Sequence, residues 1–120
     1  MSVVHEDEGD TWVFSKGGAG GYKTLVKSKV VDGKIVPIEE SDFTAAAQAN
    51  KDMAGKAMRV IALCARKLEP DEDYTDMAKM EDNLIFLGMV GIIDPPRAEV
   101  YDAIMRCQAA GIQVKMITGD

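Results

Sequence analysis

Apolar and polar positions change rhythm several times along this chain, and each rhythm predicts an element. "MSVVHEDEGDTWVFSKGG" predicts two short strands, Met1–Val4 and Thr11–Ser15, joined by a polar acidic turn ending in Glu8-Gly9-Asp10. From Gly20 to Lys29 a short helix is expected, with Tyr22, Leu25 and Val26 on its inner side. "VVDGKIVPI" predicts a hairpin, because Asp32-Gly33 supplies the positive φ angles of a two-residue turn. Pro37 near its end favours a sheet edge. In "EESDFTAAAQANKDMAGKAM", Phe43, Ala46, Ala47, Asn50, Met53, Ala54 and Ala57 recur at helical spacing, with Ser41 or Asp42 able to cap. The small residues in that stripe predict close packing on a sheet. "MRVIALCARKL" then predicts a buried strand with charge at either end.

The style changes after "EPDEDYTDMAKMED", which is rich in acids. Counted from Asp71, the glycine and glutamate that a calcium loop needs are Asp76 and Asp82, so a solvated linker is expected. "NLIFLGMVGII" predicts a strand covered on both faces. In "DPPRAEVYDAIMRCQAAG", Asp94 can cap a helix, the prolines fit its first turn, Glu99 follows, and Gly111 stops it. Val100, Ala103, Ile104 and Cys107 would form its core face. With "IQVKMITGD" as a second apolar strand, the last third predicts a right-handed βαβ unit with a parallel sheet. The fold expectation is therefore an α+β portion with antiparallel strands, followed by an α/β portion.

At 120 residues with 47% apolar content, the chain is long enough for a core. A net charge of −6 without any basic stripe argues against nucleic acid as a partner. An anionic ligand would need a few placed cations and backbone N–H groups. Cys64 and Cys107 sit in apolar segments and are expected as buried free thiols, and His5 has no metal-site spacing with them. The uncharged run from Asn83 to Ile93 is shorter than the about 20 residues that span a bilayer. The amino end turns acidic too early for a signal peptide, so this segment is expected to be soluble. The sequence begins in a strand-like stretch and ends on "MITGD", where a strand would hand over to a loop, so an excised segment is expected.

Two places invite chemistry. "FSKGGAGGYKT" nearly fits the phosphate-loop pattern G-x-x-x-x-G-K-[ST], but Tyr22 stands where its second glycine belongs, and a Cβ there blocks close approach to phosphate. Asp94 and Thr118-Gly119-Asp120 would lie at the carboxyl ends of neighbouring parallel strands, where ligands gather in such sheets.

"SKGG", "MRVIALCAR", "GMVGIIDPPRAEV" and "AAGIQVKMITGD" occur in the order and rough spacing of P-type cation-transporting ATPases, and the chain most resembles the calcium pumps and the related sodium–potassium group. The resemblance covers essentially the whole chain. It implies that residues 1–82 correspond to the latter part of the nucleotide-binding (N) domain. Residues 83–120 would return into the haloacid-dehalogenase-like phosphorylation (P) domain. Lys16 and Gly17 match the K-G-A motif of the adenosine pocket, and Arg59 matches the arginine that reaches the phosphates. Asp94 and Arg97 match the D-P-P-R hinge. Thr118, Gly119 and Asp120 match the loop that contacts the transferred phosphoryl group, and are the catalytic residues implied. "KGGAGG" departs from the family after Lys-Gly and is expected as a strand-to-helix turn near adenosine.

The resemblance further implies a membrane-bound parent, with this segment on the cytoplasmic side. The parent would couple ATP hydrolysis, through an aspartyl-phosphate and with Mg2+, to moving a cation, calcium by overall likeness. Its partners would be the remaining P, A and transmembrane domains. The family's D-K-T-G-T nucleophile and D-G-x-N-D segment are not in this sequence, so the chain alone is expected to be inactive. Two other readings stand beside this one. One is a stand-alone dehalogenase-like phosphatase, for which the prolines after Asp94 spoil the only nucleophile loop. The other is a non-catalytic nucleotide-binding module.

Overall fold

Two tight turns organise the sheet. In the first, Glu8 (φ 48°) and Gly9 (φ 86°) join β1 (Ser2–Asp7) to β2 (Asp10–Gly18). In the second, Asp32 (φ 50°) and Gly33 (φ 76°) join β3 (Val26–Val31) to β4 (Lys34–Pro37). Paired positive φ angles match the right-handed twist of the flanking strands, so each two-residue loop closes a hairpin. The computed structural model describes residues 1–119. Because the first turn takes only two residues, β1 and β2 run longer than expected. His5, Glu6 and Asp7 pair with Trp12, Thr11 and Asp10. These charged residues form an edge strand that discourages further pairing.

Strands β5 (Arg59–Leu68) and β6 (Leu84–Ile92) complete a six-stranded sheet in the order β1-β2-β5-β6-β3-β4. All pairings are antiparallel except β3 with β6. Pro37 ends β4 at the sheet edge, as expected. The sheet runs through the expected division at residue 82, with β6 held between β5 and β3.

Helix α1 (Glu40–Gly55) crosses one face. Its cap differs from expectation. Glu39 is the N-cap, and Asp42 works from the first turn, where its Oδ2 accepts the Glu39 N–H at 2.8 Å. The expected helix over 20–29 is replaced by a short 3-10 turn, Ala19–Gly21, followed by β3. Valines at 26, 30 and 31 suit a strand, and the open edge of β6 supplies its partner. The inward residues were still legible: Tyr22 and Val26 are buried and Leu25 packs against them.

The core lies under α1, where Tyr22, Val26, Ala62, Cys64 and Leu84 cluster. A satellite of Val13, Leu68 and Met80 forms under the acidic segment. That segment is not wholly a solvated linker, because α2 (Met77–Met80) plugs Met80 into the sheet. Asp76 Oδ1 caps this turn by accepting the Ala78 N–H at 3.1 Å.

The last third departs most from expectation. β6 is covered on one face only; Leu87, Val90 and Ile92 are exposed on the other. Helix α3 (Glu99–Ala109) starts five residues after Asp94, since each proline holds its predecessor extended. Gly111 (φ 74°) ends it, as expected, with Ile112 N–H reaching the Cys107 carbonyl at 2.9 Å. Residues 112–119 form no strand, so the expected βαβ unit is absent. Both edges of β6 are already occupied, by β5 and β3, leaving no place beside it for a parallel partner. Without a sheet beneath it, α3 fully buries no residue of its expected core face, Cys107 being half-buried; Met116 and Ile117 stand 91% and 95% exposed.

Candidate functional site

The register assigns side chains to the two faces of the sheet. Ser15 pairs with Cys64, and Lys16 pairs with Leu63. Alternation therefore sends Val13, Ser15 and Gly17 under the covering elements, and Trp12, Phe14 and Lys16 to the open face. Arg59 lies four positions before Leu63 on β5, an even number, so it shares the open face with Lys16. At about 3.3 Å per residue and one strand spacing across, their Cα atoms stand roughly 14 Å apart. Between them the floor is apolar, formed by Ile61 and Leu63.

Beside Lys16 the open face holds a hollow of about 330 Å³, lined among others by Val3, Phe14, Lys16, Leu63 and Leu87. The Trp12 and Phe14 rings stack next to it at 6.3 Å between centroids. Sequence reasoning missed these apolar residues, although Trp12, Phe14 and Lys16 at every second position carried the signal. The hollow also reaches Cys64, whose thiol is pushed up to about 11 by burial. Both cysteines are free; Cys64 is buried and Cys107 half-buried.

Gly17 faces away from Lys16. A Cβ there would stand 3.0 Å from Tyr22 Oη, so its smallness accommodates Tyr22. Tyr22 is 8% exposed, and its hydroxyl lies 3.0 Å from Ser15 Oγ. Ser2 Oγ donates its one hydrogen to the Glu81 carboxylate, so at its 2.8 Å contact with Ser15 it accepts from the Ser15 hydroxyl. The near-phosphate-loop "KGGAGGYKT" is thus a strand end, a 3-10 turn and a tyrosine plug.

Ile92 at the end of β6 pairs with Arg59, which puts the segment carrying Asp94 and Arg97 at the same end of the sheet. Both are exposed. Thr118 and Gly119 are exposed and lie beyond α3, outside any strand; Asp120 lies outside the described residues. The structure thus groups Lys16 with Arg59 on one face and brings Asp94 and Arg97 to the Arg59 end. It does not join Thr118 and Gly119 to Asp94 as neighbouring strand tips.

A family model described as P-type ATPase, cytoplasmic domain N, matches residues 1–99. The chain belongs to the P-type ATPase family. This N-domain chain is 37% identical, over its full length, to "Cation-transporting ATPase pma1" of Synechocystis. It is 36% identical over its full length to "Calcium-transporting ATPase 1" of Bacillus cereus. Over 98% of its length it is 34% identical to "Calcium-transporting ATPase 8, plasma membrane-type" of Arabidopsis thaliana. The N-domain chain spans only 12 to 13% of the length of these relatives. The antiparallel-rich sheet with few helices is compatible with an N domain. Among the described residues no helix is long and apolar enough to cross a membrane.

Proposed function

We propose that the open face of the sheet receives ATP, in a parent that couples ATP hydrolysis through an aspartyl-phosphate to cation transport. The observation that carries this reading is the sharing of one exposed face by Lys16 and Arg59 across an apolar floor. A nucleotide has an apolar planar end and an anionic end. Ile61, Leu63 and Phe14 offer surface to the first, and the two cations offer charge to the second. In a chain of net charge −6, anion binding has to be local, and these side chains make it so. Calcium is the cation favoured, because two of the relatives above carry calcium in their names.

Catalysis of phosphoryl transfer consists largely of positioning and of neutralising charge on the moving group. Lys16 and Arg59 can position the nucleotide. Asp94 and Arg97 follow the strand that ends opposite Arg59 and, in this reading, orient its phosphates and act as the hinge. Thr118, Gly119 and Asp120 belong, in this reading, to a phosphorylation domain of dehalogenase-like fold that is completed elsewhere in the parent. The pairing of β6 with β5 and β3 supports a changeover at the connector 93–98 in place of residue 82. Magnesium would accompany ATP.

The test is ATP titration of this chain, followed by backbone and side-chain NMR. Shifts should concentrate at Phe14, Lys16, Arg59 and Leu63. Each of Lys16→Ala and Arg59→Ala should weaken binding by roughly tenfold, the loss of about 1.4 kcal/mol expected for a charge-assisted contact. Added salt should weaken it further. Unchanged affinity in both variants, or shifts confined to the α1 face, would refute the reading.

A further inference from the structure

Helix α1 lies against β5 and β6. It is propped at one end by Phe43, which packs against the core, and at the other by Met53, whose sulfur lies 3.0 Å from where a Cβ on Gly91 would stand. Between these props the helix presents the short side chains of Ala46 and Ala47, and then Asn50. A cavity of about 180 Å³ results, bounded opposite by Val26, Phe86 and Met89. It lies on the other face of the sheet from Lys16 and plays no part in the nucleotide reading.

We propose that this cavity binds a neutral, single-ring aromatic molecule bearing a hydroxyl. Size comes first: about 150 Å³ of apolar space is enough to take benzene, and this cavity offers about 180 Å³. Shape and surface agree, because the Phe43 and Phe86 rings line it, and aromatic pairs are worth more than their buried area alone. The charges at the mouth are already matched, which selects a neutral guest. Lys23 Nζ stands 2.6 Å from Glu40 and 5.5 Å from the Phe43 ring centre, and Lys29 Nζ holds Asp42 at 2.7 Å. The polar anchor is Asn50. It lines the cavity half-buried, and its amide has no hydrogen bond among the described residues. An amide offers both a donor and an acceptor, so a hydroxyl at the ring edge suits it.

Phenol and benzene are the probes. Millimolar phenol should produce saturable NMR shifts at Ala46, Asn50, Phe86 and Met89, and should raise the unfolding temperature with concentration. Benzene should bind the same residues more weakly. Ala46→Leu fills the cavity and should weaken both probes by at least about tenfold. Asn50→Leu should keep benzene binding and erase the preference for phenol. Should Ala46→Leu fail to fold, the phenol-to-benzene ratio in Asn50→Leu still decides. The proposal is overturned by any of three results: no saturable shift at the cavity residues, undiminished binding in folded Ala46→Leu, or an unchanged phenol preference in Asn50→Leu.

Discussion

Two neighbouring glycines in "KGGAGG" make opposite predictions. At Gly17 an added methyl would meet Tyr22 Oη at 3.0 Å, Cε2 at 3.3 Å and Cζ at 3.6 Å. The tyrosine cannot retreat freely, because it is packed among Val26, Ala62, Cys64 and Leu84. Overpacking of this kind costs about 1–3 kcal/mol. Moving the ring also stretches its 3.0 Å bond to Ser15, a side chain only 4% exposed. Ser15 retains Ser2 as a partner, so this adds only about 1 kcal/mol. Reduced freedom of the unfolded chain returns about 0.4–1 kcal/mol. Gly17→Ala should therefore destabilise the fold by roughly 2 kcal/mol. At Gly18 nothing lies within 4 Å of the added methyl, and its φ of −60° with ψ of 136° is ordinary extended backbone. Gly18→Ala should be neutral or stabilising, by up to about 1 kcal/mol.

Urea unfolding followed by Trp12 fluorescence measures both. With a slope of about 1–3 kcal/mol per molar, the Gly17→Ala midpoint should fall by about 1 M, and that of Gly18→Ala should not fall. Tyr22→Phe removes the oxygen that makes the closest contact, so Gly17→Ala should cost less in that background than in the native chain. Equal effects at the two glycines, or the same Gly17→Ala cost with and without the hydroxyl, would show that the tyrosine does not set the requirement.

Gly33 has φ 76° in the β3–β4 turn, so Gly33→Ala should cost about 1 kcal/mol, read as a lower urea midpoint. The hydrogen bond from Lys29, then that from the Glu39 N–H, hold the Asp42 carboxyl below its usual range. A depressed folded-state value means that its stabilisation is present above the unfolded value of about 4 and is lost as pH falls through the folded one. The midpoint gap between the native chain and Asp42→Asn should accordingly be constant near neutrality and close in acid; a gap that widens in acid would contradict the assignment. Burial pushes the Cys64 thiol up to about 11, so iodoacetamide at mildly alkaline pH should label Cys107 well before Cys64. Peptide mass spectrometry reads the order, and equal labelling rates would refute it.

Local chemistry was the legible part of this fold. Asp32-Gly33 announced its hairpin because two positive φ angles admit few residue pairs, and Gly111 announced the end of α3 for the same reason. The inward positions Tyr22, Leu25 and Val26 were also readable, since burial follows apolarity whatever the element. Their helix was not, because ten residues with mixed spacing fit either period, and the free edge of β6 decided the matter. The same kind of non-local fact overturned the βαβ expectation. "NLIFLGMVGII" looks like a parallel strand covered on both faces, but a sequence window does not show that β5 and β3 would occupy both of its edges. For the site, Lys16 and Arg59 were named individually, yet their common face depends on the register that sets Lys16 against Leu63.

That register also explains why the chain beyond Ile92 leaves the sheet. β6 ends opposite Arg59, at the start of β5, and two prolines then hold the backbone extended before α3 can begin. The chain is correspondingly long, with a radius of gyration of 20.1 Å and a greatest extent of 67 Å, against about 14 Å for the radius of a compact domain of this size. The apolar residues of α3 and of 112–117 have no covering in this arrangement, although their pattern calls for it. If the connector 93–98 is a hinge between two bodies, stiffness on its sheet side is useful, because Arg59 and Asp94 then keep a fixed relation at one end of the open face. A glycine pair in place of Pro95-Pro96 should leave the sheet's urea midpoint unchanged while loosening α3 relative to it. NMR relaxation would show this as faster, independent tumbling of residues 99–109, and unchanged tumbling would mean that the prolines do not set the geometry.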